Sequence, residues 1–315
     1  MNAMALLCLL LAPWAWSEEA HTVTLNDIHL RDPFILPVPE EGRYYLYGTG
    51  WRLPGGPGFM VYTSTDLKNW EGPQAAFTRP ADFESSNFWA PEVHRYQGKY
   101  ILFGTFMPKT PGACRGTWAM SSDRPEGPFH LLSRDPVTPK DWFCLDGTLF
   151  VDDEGAPWMV FCHEWVQVKD GEMCALRLSP DLSRGVGEPV LLFKASEAPW
   201  GRGPLTEKDN SRVTDGPFLH RTAEGALLMI WSSFGTGGYK VGVVKSETGK
   251  ITGPWKQIAT PVFGKDGGHG MLFRSLDGRL MMTFHQPNKG PLERPKLFEV
   301  TEQKDTLTVQ PWPQG

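Results

Sequence analysis

Apolar and polar positions along this chain fall into pairs of short runs, each pair split by a glycine turn. Residues 145–165, LDGTLFVDDEGAPWMVFCHEW, show the unit: Asp146 leads into a short apolar run, and a turn falls at Asp152, Asp153, Glu154 and Gly155. A more apolar run then returns to His163 and Glu164. The same figure opens at Asp32, Glu92, Asp215 and His269, with turn glycines at Gly42, Gly98, Gly225 and Gly278. A third strand and a further turn of related wording follow each return, as in VYTSTDLKNWEGP and TWAMSSDRPEGPF. A four-stranded repeat of roughly 50 to 70 residues cannot bury both faces of its sheet without neighbours, which is the mark of a propeller blade. Five repeats predict an all-β chain, a five-bladed β-propeller with four-stranded antiparallel blades around a central channel.

The first 17 residues, MNAMALLCLLLAPWAWS, break the pattern. Their apolar run is too short to span a bilayer, and Ala15 and Ser17 are the small residues a signal peptidase needs. We expect a cleaved secretory signal over 1–17 and a single propeller domain over 18–315. That leader has no charged side chain, so the net charge of -5 belongs to the remainder. Mild acidity with scattered Lys and Arg speaks against a nucleic-acid partner and against an anionic membrane surface. The thirteen Trp suit two uses, wedging between blades and stacking on sugar rings. Cys114, Cys144, Cys162 and Cys174 allow three pairings, and their spacing matches no zinc site.

Innermost strands of a propeller all start at one end of the channel, so residues remote in sequence converge there. Asp32, Asp146, Asp215 and His269 are aligned at that start, with Trp89 to Glu92 less well aligned. Carboxyl groups facing one funnel cannot all ionise independently. Glycoside hydrolysis exploits that, since one carboxylate acts as base while another stays protonated as acid.

The motifs RDPFI at 31–35, WAPEV at 89–93, LDGTLF at 145–150, DGPFL at 215–219 and GGHGMLF at 267–273 resemble glycoside hydrolase family 43. These five-bladed propellers remove arabinofuranosyl, xylosyl or galactofuranosyl units from polysaccharides. The resemblance implies an inverting mechanism with Asp32 as base, Asp146 tuning and orienting the acid, and Asp215 as general acid. At that last position the family usually has Glu before Gly-Pro. Aspartate withdraws the carboxyl group by about 1.5 Å, and misplacement of about 1 Å can cost about 100-fold in rate. Glu164 is the alternative acid, because the second strand of blade three returns to the same end of the channel. Trp89, Glu92, His163, His269 and Arg294 are candidate substrate contacts. His269 is also where the resemblance implies a structural calcium or sodium ion; no organic cofactor is implied. We therefore expect an exported, monomeric glycosidase acting on an oligosaccharide or polysaccharide, periplasmic or extracellular, without membrane insertion. A carbohydrate-binding propeller with little or no turnover is the alternative, favoured only by the shortened acid; a scaffold for protein partners is a third reading.

Overall fold

A computed structural model describes residues 22–50, 58–202 and 210–313. The proposed leader lies outside those residues. Every hairpin turn read from the sequence is present, and Gly42, Gly98, Gly155, Gly225 and Gly278 all have positive φ, between 61° and 89°. Side-chain-bearing residues pay a steric penalty in that region, so the repeat's turn needs glycine.

The strands form five antiparallel sheets, each built from one contiguous stretch of chain. Their innermost strands are Leu30–Val38, Ser85–Tyr96, Cys144–Val151, Asp215–Arg221 and Gly268–Arg274. Each packs beside the next, and the fifth packs beside the first, which closes the ring. Blade one differs from the expected four strands, because Thr22–Val23 adds a fifth strand to its outer edge. The only α-helix among the described residues is the single turn Trp165–Val168, and no helix there is long and apolar enough to cross a membrane.

Apolar faces of neighbouring blades meet in layers of large side chains. Between blades one and two, Phe77, Phe106 and Trp118 stack in sequence, with ring centroids 5.6 and 5.3 Å apart. Trp70, Trp118 and Trp231 are wholly buried, so part of the tryptophan content serves as wedges. Cys144, Cys162 and Cys174 are buried, Cys114 is half-buried, and all four are free thiols.

Blades five and one, which are not consecutive along the chain, are joined by polar side chains as well as by apolar packing such as Phe273 against Tyr44. Arg294 donates to the carbonyls of Asn26, Pro291 and Glu293 and meets the His29 ring at 2.8 Å. Lys296 Nζ donates to Asn26 Oδ1, and the Leu276 amide donates to the Tyr44 hydroxyl.

Candidate active site

The five innermost strands begin with the same irregularity. Register slips between Arg31 and Phe34, Trp89 and Glu92, Leu145 and Thr148, Asp215 and Phe218, and Gly268 and Met271. In every blade one residue in the slip is left-handed: Asp32, Ala90, Asp146, Gly216 and His269, with φ between 44° and 57°. Such a bulge re-aims its side chain out of the strand's alternation. The strain is offset by capture of its amide. The amides of Ala90, Asp146, His269 and Asp32 donate to Thr49, Thr105, Ser232 and His285 Nδ1, at 2.8 to 3.2 Å. Each acceptor sits on the second strand of the preceding blade. Blade three has Cys162 at that place, opposite Leu145, and the Gly216 amide donates instead to Asp146 Oδ2 at 3.0 Å.

This register corrects the sequence alignment. Gly216, rather than Asp215, is the counterpart of Asp32, Asp146 and His269. Asp215 stands one residue earlier, level with Arg31, Trp89 and Leu145. All of these except Gly216 line one cleft of about 600 Å³.

Within the cleft His269 Nδ1 lies 3.2 Å from Asp32 Oδ1 and 3.5 Å from Asp146 Oδ2. Asp32 also accepts from Arg31 Nε at 3.2 Å and from the Thr49 hydroxyl at 2.8 Å. Burial alone would raise its pKa, but the Arg31 guanidinium, His269 and the Thr49 hydrogen bond together hold it below the ordinary aspartate value. Asp146 goes the other way: burial and the neighbouring Asp32 charge drive it well above that value. Asp215 is pushed up to about 7, by burial and then by Asp146, against the hydrogen bond its Oδ2 accepts from Tyr239 at 2.7 Å. Burial depresses His285 to about 3, so its imidazole is neutral. The Asp32 amide points at Nδ1, which assigns the proton to Nε2, facing Asn288 Oδ1 at 3.1 Å.

The remaining sequence candidates separate. Glu164 lines the cleft, but Arg115 grips both its oxygens at 2.7 to 3.0 Å. The same guanidinium covers the Trp89 ring, 4.5 Å from its centroid. His163 points elsewhere, stacked on Trp142 at 4.1 Å and bonded to Glu172 and Gln167. Glu92 lies further along its strand, paired with His94 at 3.0 Å. Arg294 is engaged at the seam between blades five and one. Neither Glu92, His163 nor Arg294 lines the cleft. Arg31, Thr49, His285 and Tyr239 complete the site, and the sequence reading gave none of them a part in the acid chemistry. Among the described residues no group of three or more His, Cys, Asp or Glu side chains is placed to hold a metal ion.

The profile described as Glycosyl hydrolases family 43 matches residues 25–307. The chain belongs to that family. It is a glycosidase, and the expected family and enzyme class hold. One similar protein is the extracellular exo-α-(1→5)-L-arabinofuranosidase ArbA of Cellvibrio japonicus, 27% identical over 81% of this chain and 71% of that protein. Another is the extracellular endo-α-(1→5)-L-arabinanase 1 of Bacillus subtilis, 30% identical over 49% of each. Among solved structures, an endo-arabinase from Bacteroides thetaiotaomicron superposes with a TM-score of 0.84 at 41% identity, covering 91% of this chain and 100% of that one.

Proposed function

We propose that this family 43 glycosidase hydrolyses α-L-arabinofuranosyl linkages with inversion, with Asp32 as base and Asp215 as acid. One observation carries the assignment: among the carboxyl groups lining the cleft, Asp32 is held below the ordinary aspartate value and Asp215 is pushed up to about 7, while Asp146, also pushed up, is engaged by the Gly216 amide. Environments that split titratable groups in this way mark the base and the acid. In the step, Asp32 takes a proton from water as the water oxygen bonds to the anomeric carbon. The glycosidic C–O bond breaks on the opposite face, and the Asp215 proton passes to the departing oxygen. Asp146 does not touch the reacting atoms in this scheme. It holds the Gly216 amide and so fixes the peptide that follows the acid, while its proximity raises the Asp215 pKa. Glu164 is a poor candidate for the acid because Arg115 occupies both its carboxyl oxygens.

Arabinofuranose is favoured over xylose and galactofuranose because ArbA, arabinanase 1 and the Bacteroides enzyme are all named for arabinan linkages. Export through a cleaved signal at 1–17 is supported by the leader's composition and by relatives named as extracellular.

The test is turnover of 4-nitrophenyl α-L-arabinofuranoside, β-D-xylopyranoside and β-D-galactofuranoside and of α-1,5-linked arabino-oligosaccharides. We expect the arabinosyl substrates to be cleaved and the first-formed sugar to be inverted by NMR. Asp32→Ala and Asp215→Asn should each lower oligosaccharide turnover by about 100-fold or more, and Glu164→Gln much less. Large loss in Glu164→Gln with activity kept in Asp215→Asn would transfer the acid role to Glu164.

A further inference from the structure

Asp215 is one methylene shorter than the glutamate usual at this position, so its reach depends on what holds it. The residue that touches it, Tyr239, comes from the third strand of blade four, Gly238–Ser246, rather than from an innermost strand. The residue is 1% exposed. Its ring lies nearly parallel to His285, with centroids 5.8 Å apart at 20°, and 5.0 Å from Phe234. Behind it, a Cβ at position 268 would fall 2.5 Å from ring atoms Cδ1 and Cε1, so Gly268 makes the room the ring occupies. Its backbone is pinned as well: the Tyr239 amide donates to Asp266 Oδ1 at 3.2 Å and its carbonyl accepts from the Gly267 amide at 3.1 Å. A hydroxyl fixed on so many sides can fix a carboxyl group in turn.

We propose that Tyr239 is the positioning residue that enables an aspartate to serve as the acid, its hydroxyl holding Oδ2 so that Oδ1 carries the transferable proton. When the Oδ1–H bond breaks, the proton goes to the departing sugar oxygen and the negative charge left on Asp215 is met by the Tyr239 donor. Burial raises the tyrosine pKa well above its usual value, which keeps it a donor throughout the working range. The inference rests on Asp215 being the acid, and leaving-group dependence separates the two claims.

The experiment compares Tyr239→Phe and Asp215→Asn on an α-1,5-linked arabino-oligosaccharide and on a dinitrophenyl α-L-arabinofuranoside, whose leaving group needs no proton. Tyr239→Phe should lower kcat on the oligosaccharide by about 30-fold with KM within about twofold, and leave dinitrophenyl turnover within about threefold. Its alkaline pH limb should move to higher pH, because a donor to the carboxylate form is lost. Equal loss on both substrates, or an unmoved limb, would overturn the positioning role while Asp215→Asn still shows selective loss. If Asp215→Asn itself shows no such selectivity, the assignment of the acid fails instead.

Discussion

Asp32 and Asp215 need opposite charge states at the same pH, and each gets its own from immediate neighbours. Arg31, His269 and Thr49 surround Asp32, whereas among the described residues Tyr239 is the direct donor to Asp215, beside a second carboxyl group. Under the proposed roles, activity against pH should be bell-shaped. Its acid limb would lie below the ordinary aspartate value and its alkaline limb near 7, read from kcat/KM on an arabino-oligosaccharide. The same displacement taxes stability. Asp215 rises from 3.8 to about 7 on folding, so its stabilising contribution is complete below 3.8 and lost as pH rises through 7. Above 7 the native state must hold an ionised, poorly compensated carboxylate. Asp215→Asn should therefore be more stable than the wild type near pH 8, by on the order of 2 kcal/mol, with the gap closing toward pH 4 in thermal melts.

At the scale of single strands, the bulge at the head of each blade governs what reaches the cleft. Four blades capture the bulge amide with a hydroxyl or imidazole, and blade three offers a thiol, a weak acceptor. The Gly216 amide is thereby left to Asp146. Cys162→Thr would restore the acceptor used elsewhere and should lower kcat about tenfold by drawing that amide away. Cys162→Ala, with no acceptor, should stay within about threefold of wild-type turnover, at a stability cost of about 1 to 2 kcal/mol measured by urea melts. Hairpins and blade number were legible in the sequence because a positive-φ turn selects glycine and a half-buried strand selects alternation. The one-residue offset of Asp215 was not, because a bulge shifts the count without altering the wording: DGPF and RDPF look alike until their partners are known. Nor could spacing show that the third strand of blade four delivers Tyr239, or that Arg115 would claim Glu164. Those contacts depend on which loops and outer strands meet, which no periodicity encodes.

For the whole molecule, the joint between blades five and one is the distinctive place, since these two blades are neighbours in the ring without being consecutive along the chain. Arg294→Ala removes donors to Asn26, Pro291 and Glu293 and a contact with His29, and should cost about 2 kcal/mol in urea unfolding. The joint also passes through the chemistry. Asp32 belongs to blade one, while His269 and His285, which face its carboxyl group and its amide, belong to blade five. Parting these two blades by even an ångström would undress the base before any sheet lost its hydrogen bonds. Hydrolysis should then fail at a lower urea concentration than the far-ultraviolet circular dichroism of the strands, and turnover becomes a gauge of whether the ring is shut.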